Sequence, residues 1–81
     1  MQLYYLSFAG PDGWRGSVIV PGDTLSEAVW LAIMLDVNPG GEVRGHRIGL
    51  DQPQPPPDYC GRLLSRDDVN ALDSRLTAML H

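Results

Sequence analysis

Lysine is missing from this chain altogether, and cysteine, phenylalanine and histidine are scarce. A lone cysteine, Cys60, excludes an internal disulfide. The two histidines, His46 and His81, have no companion at ligand spacing, so no metal site is expected. The longest apolar run, Ala28 to Leu35, falls far short of the ~20 residues that cross a bilayer. The amino terminus lacks a basic stretch leading into an apolar run and a small-residue cleavage site. No membrane contact is expected, and the expected location is the cytoplasm. Basic charge is also in deficit: ten acidic residues against six basic ones give a net charge of −4, which argues against a duplex nucleic-acid partner held by its phosphates.

Catalytic patterns are equally thin. Asp67 and Asp68 are adjacent and point in different helical directions, so they read as first-turn charges that complement a helix dipole. No serine or cysteine has a base implied beside it, and no phosphate-binding glycine loop of the Walker type is present. An enzyme is not expected, nor is a cofactor. Cys60 reads as a small packed side chain.

What is present suits one domain of 81 residues: a ββαβ core over 1–50, a proline-rich connection over 51–64 and a C-terminal helix over 65–81. Gln2 to Phe8, rich in aromatic and branched residues, reads as a strand that meets a turn at Gly10-Pro11-Asp12-Gly13. Ser17 to Val20 is its hairpin partner, closed by Pro21-Gly22. Thr24 and Glu27 form a capping box that opens a helix over Leu25 to Val37, and Asn38-Pro39-Gly40-Gly41 stops it.

In that helix Leu25, Ala28, Val29, Ala32 and Ile33 make the expected core stripe, which leaves Trp30, Leu31, Met34 and Leu35 to be covered by something else. The C-terminal helix, capped by Ser65 and Asp68 and striped by Val69, Leu72, Leu76 and Met79, is the expected cover. A second copy of the chain would serve as well, so a homo-oligomer of at least two copies is expected. Glu42 to Leu50 forms a third strand, and Gln52 to Asp58, with Pro53, Pro55, Pro56 and Pro57, crosses the surface as an extended segment.

The right-handed crossover rule carries the helix over the sheet and places the third strand beside the first. The fold class is therefore α+β: a three-stranded antiparallel sheet of order 2-1-3, one packed helix and a C-terminal helix. This topology gathers the hairpin tip, the helix exit and the start of the third strand at one end. Trp14, Arg15, Asn38, Gly40, Gly41, Arg44 and His46 are the candidate ligand-binding residues. Tryptophan offers a stacking plane, arginine a fork that matches phosphate, and a glycine pair backbone N–H groups unobstructed by a Cβ. Structural roles fit the same residues: Trp14 packed on the sheet, the glycines as a helix stop, and Arg44 beside a helix C-terminus.

Three segments carry a resemblance: Trp14-Arg15-Gly16, Asn38-Pro39-Gly40-Gly41-Glu42-Val43, and Arg62-Leu63-Leu64-Ser65-Arg66 after Tyr59. Together they resemble a family of small uncharacterised phage, prophage and bacterial proteins, from which Cys60-Gly61 departs. At the level of class, the chain is similar to phage anti-defence sponges, oligomeric proteins that bind nucleotide immune messengers without cleaving them. The resemblance implies a non-enzymatic counter-defence protein in the cytoplasm of an infected or host bacterial cell. It would sequester a cyclic oligonucleotide or a cyclic ADP-ribose derivative. The alternative is an acidic interaction factor that inhibits a host effector through Trp30, Met34 or its acidic face.

Overall fold

The computed structural model describes residues 2–51 and 54–79, with side chains described as far as Arg75. Its elements are β1 (Gln2–Gly10), β2 (Gly13–Gly22), α1 (Leu25–Met34), β3 (Glu42–Ile48), a 3-10 turn (Pro57–Tyr59) and α2 (Arg66–Met79). The three strands form one antiparallel sheet in the order β2-β1-β3. The α+β class and the strand order are those expected from the sequence. A two-residue tip joins β1 to β2, and a bulge between Phe8 and Ala9 shifts the register close to it.

Both faces of the sheet are covered. Tyr4, Leu6, Phe8, Val18 and Val20 point to one side and pack with Ala28 and Ala32 of α1. Ile19 points to the other side and packs with Leu64 and Leu72, joined by Leu3, Tyr5, Ile48 and Val69. α2 therefore lies across the sheet from α1. The expected cover of α1 by the C-terminal helix is corrected: α2 was the missing layer on a sheet whose strands are apolar on both faces. Leu76 and Met79, expected on the α2 stripe, have side chains outside the described residues.

α1 is also turned relative to its expected stripe. Ala28 and Ala32 are fully buried, with Val29 and Leu31 packed beside them, whereas Ile33 and Leu25 are exposed. Its N-terminus is held by the Thr24 hydroxyl, which accepts the Glu27 N–H at 3.2 Å, while the Glu27 carboxylate accepts the Asp23 N–H at 3.0 Å. The cap is at Thr24 as expected, with the return bond of the Glu27 carboxylate taken one residue upstream, by the Asp23 N–H.

The helix also stops earlier than expected. Asp36 takes a left-handed conformation with φ of 58°, and its N–H reaches the Ile33 carbonyl at 3.1 Å. The Val37 N–H reaches the Ala32 carbonyl at 3.1 Å, completing a Schellman motif that returns Val37 to the core. The Asn38-Pro39-Gly40-Gly41 segment follows this stop and does not make it.

The proline connection does not simply pass over the surface. Pro55 is buried, and residues 60–64 run along the outer edge of β2. The Gly61 N–H donates to the Ile19 carbonyl at 2.8 Å and the Leu64 N–H to the Ser17 carbonyl at 2.7 Å. The opposite edge of the sheet, along β3, has no such clasp among the described residues. Pro53 lies outside the described residues.

Candidate functional site

The hairpin tip and the helix exit do meet at one end. The Arg15 guanidinium donates to the Pro39 carbonyl at 3.4 Å and lies 3.8 Å from the Asp12 carboxylate. The Asn38 side-chain oxygen accepts the Gly40 N–H at 2.8 Å, closing an Asx turn. Gly41 sits at φ of 92° where a Cβ would collide with the Ala9 carbonyl oxygen. Arg15, Asn38, Gly40 and Gly41 are thus engaged in joining loop to hairpin, and the Gly40 amide already has an acceptor. The anion cradle expected from the glycine pair is not what this geometry provides at Gly40.

The remaining candidates lie on the sheet face that carries α2. The Trp14 indole N–H donates to the Ser7 hydroxyl at 3.0 Å. Register places Arg44 opposite Ser7 and His46 opposite Tyr5, and the Tyr5 and His46 rings lie 5.6 Å apart. Arg44 is exposed and shares a 3.4 Å ion pair with Glu42. The seven candidates therefore divide into two groups, Trp14, Arg44 and His46 on one face and the loop cluster at the end of the sheet.

Around Trp14 the structure adds residues that the sequence reading missed. A groove of about 310 Å³ is lined by Tyr5, Trp14, Arg66, Val69 and Asn70. The Arg66 guanidinium stands over the Trp14 ring, 5.2 Å from its centroid. Arg66 arrives there because Ser65 and Asp68 fix the start of α2. The Ser65 hydroxyl accepts the Asp68 N–H at 3.2 Å and the Asp68 carboxylate accepts the Ser65 N–H at 3.0 Å. That backbone hydrogen bond, then the Ser65 hydroxyl and Arg62, hold the Asp68 carboxyl below its ordinary pKa. A depressed carboxylate pKa supports the fold above the ordinary carboxylate range, and that support is lost as pH falls through it.

The signal for Tyr5, Arg66 and Asn70 was available in part. Val18-Ile19-Val20 and Leu3-Tyr4-Tyr5-Leu6 do not alternate, which marks strands buried on both faces. With α2 assigned to the second face, the first turns of α2 fall beside Tyr5 and the hairpin tip. Cys60 is half-buried, and desolvation, then the nearby Asp58 carboxylate, raises its thiol pKa. A thiol so placed is a weak nucleophile at neutral pH.

Among the described residues no group of three or more histidine, cysteine or carboxylate side chains could hold a metal ion. No helix in the same residues is long and apolar enough to cross a membrane. Compared with known proteins, the chain matches no family model, no curated protein and no solved structure.

Proposed function

We propose that the chain is a non-enzymatic binding module that sequesters a nucleotide-derived messenger, with the ligand in the groove between the sheet and α2. The observation that carries this reading is the convergence of two aromatic rings and a guanidinium on one groove: Tyr5, Trp14 and Arg66. A planar base stacks on an indole or exchanges with the guanidinium now over it, and that guanidinium then turns to phosphate. His46, Arg44 and Asn70 border the same face and add donors at its margin. Within the resemblance stated above, the role is phage-type counter-defence against a cyclic oligonucleotide or cyclic ADP-ribose signal.

The groove reading differs from a site at the loop end in one measurable respect. Calorimetry against cyclic dinucleotides, cyclic trinucleotides and cyclic ADP-ribose isomers should give heat with at least one of them. Trp14→Ala and Arg66→Ala should each weaken that ligand by about 1.5–3 kcal/mol, the range for losing a charge-assisted bond or a stacked ring. Arg15→Ala should leave affinity unchanged, because Arg15 is occupied at Pro39. Absence of heat from the whole panel overturns the proposal.

A further inference from the structure

α1 distributes its side chains by size in the reverse of the usual way. Its two fully buried residues are alanines, Ala28 and Ala32, while Trp30, Ile33 and Met34 stand 62%, 56% and 62% exposed. Those three occupy positions i, i+3 and i+4, so they form one patch on the side of the helix away from the sheet. Leu25 and Leu35 are part-exposed as well, but they fall on the Ala28–Ala32 side of the helix and do not belong to this patch. Scattered single apolar residues are ordinary on a surface, but a contiguous patch with a tryptophan and a methionine has the composition of an interface core. The C-terminal helix does not cover it, since α2 packs on the opposite face of the sheet.

The charges around the patch select what fits on it. From Asp23 through Asp36 the chain carries Asp23, Glu27 and Asp36 and no basic residue. All three acidic residues are exposed. Arg62, Arg66 and Arg75 instead lie over Tyr59 and Trp14, Arg44 shares the α2 side of the sheet, and Arg15 is held at Pro39 and Asp12. Arg47 is the one arginine on the α1 side, opposite Tyr4 on the β3 edge, and it donates to the Gln2 side-chain oxygen at 3.4 Å. Two copies packed through α1 would set acidic residues against acidic residues, on chains that each carry a net charge of −4. A surface with an apolar strip bordered by lysine or arginine meets both the patch and its flanks.

We infer that the outer face of α1 is a docking helix for another protein, received by an apolar groove rimmed by basic residues, with Trp30, Ile33 and Met34 as its anchors. The mode is that of a helix laid in a groove, read as anchors one turn apart. It goes beyond the ligand reading and stands independently of it, because the two surfaces occupy opposite faces of the sheet.

The test uses a probe with that chemistry: an amphipathic helical peptide of leucine and lysine, compared with a peptide of identical pattern in leucine and glutamate. Calorimetry on the full chain should show the lysine peptide binding at least about tenfold more tightly than the glutamate one, with affinity falling as salt rises. Ile33→Ala combined with Met34→Ala should weaken the lysine peptide at least about tenfold while melting stays unchanged, because neither side chain is buried. Arg66→Ala, which disturbs only the ligand groove, should leave it unchanged. Equal affinity for the two peptides, no binding of either, or indifference to the double variant overturns the proposal. So does a dimer in sedimentation that Ile33→Ala with Met34→Ala dissociates, since a second copy would then be what covers α1.

Discussion

On one face of the sheet, Ala28 lies so close to β2 that a Cβ at Gly22 would sit 3.0 Å from the Ala28 nitrogen. On the other, contact passes through the long side chains of Leu64 and Leu72, and a groove opens beside Trp14 where the leucines end. The pairing of alanine with close approach, and of leucine with a gap, follows from side-chain volume alone. It also decides which surface each helix leaves over. α1 has given its small residues to the sheet and shows its large ones to solvent, whereas α2 is a mainly polar helix that contributes Leu72 and Val69 inward.

The largest effect should come from the leucine-filled side. Leu72→Ala removes a buried side chain from the layer formed with Ile19 and Leu64, and should cost about 2–4 kcal/mol in denaturant unfolding. In a domain of this size that is a large part of the total, so melting should become broad or incomplete. Unchanged unfolding would mean that α2 is an accessory to a sheet stable without it.

The contrast in packing distance can be sharpened within α1 itself. Ala32→Leu forces three extra carbons into the close layer and should cost about 1–3 kcal/mol. Ile33→Ala, one residue further on, removes three carbons from an exposed position and should change stability by less than about 0.5 kcal/mol. A cost for Ile33→Ala as large as that for Ala32→Leu would put Ile33 in the core beside Ala32, where the bare periodicity puts it.

A further, small effect has the opposite sign. Asp36 holds a left-handed conformation unfavourable for a residue with a Cβ, and sets a negative charge at the C-terminal end of the helix dipole. Asp36→Gly relieves both, against a gain in unfolded-chain entropy, and should stabilise by about 0.5–1 kcal/mol in thermal melts. Loss of stability would show that the carboxylate makes a contact that outweighs the strain.

These elements also show how far the sequence could be read. The order β2-β1-β3 followed from a hairpin, a helix and a strand, because chirality leaves one connection open to them. The caps at Thr24 and Ser65 were legible because a hydroxyl and a carboxylate three residues apart satisfy the first helical amides by local geometry. Which face of α1 is buried was legible only in part: Ala28, Val29 and Ala32 pack as expected, while Leu25 and Ile33 are exposed and Leu31 packs inward. A helix apolar nearly all round has no strong preferred side, and the choice fell to whichever residues let it approach the sheet most closely. The stop at Asp36 was hidden for a related reason: glycine and proline just beyond it carried the stronger local signal, while a core contact at Val37 fixed the cap.

For the candidate site, Trp14 and His46 were found as residue types, but their companions Tyr5, Arg66 and Asn70 depend on which face α2 covers. Arg15 and Gly40 were correctly brought together at the loop end. Their bonding capacity is spent there on Pro39 and Asn38, which no spacing rule reports.

The clasp that residues 60–64 place on β2 leaves the sheet with one closed side and one open one. An open strand is a template on which another chain can grow, and a small sheet protein has to prevent that polymerisation. β3 carries Arg44 and Arg47 and is interrupted by Gly45, which weakens its appeal to an incoming strand. Arg44 and Arg47 thus have work to do even where they touch no ligand: they help keep the sheet at three strands.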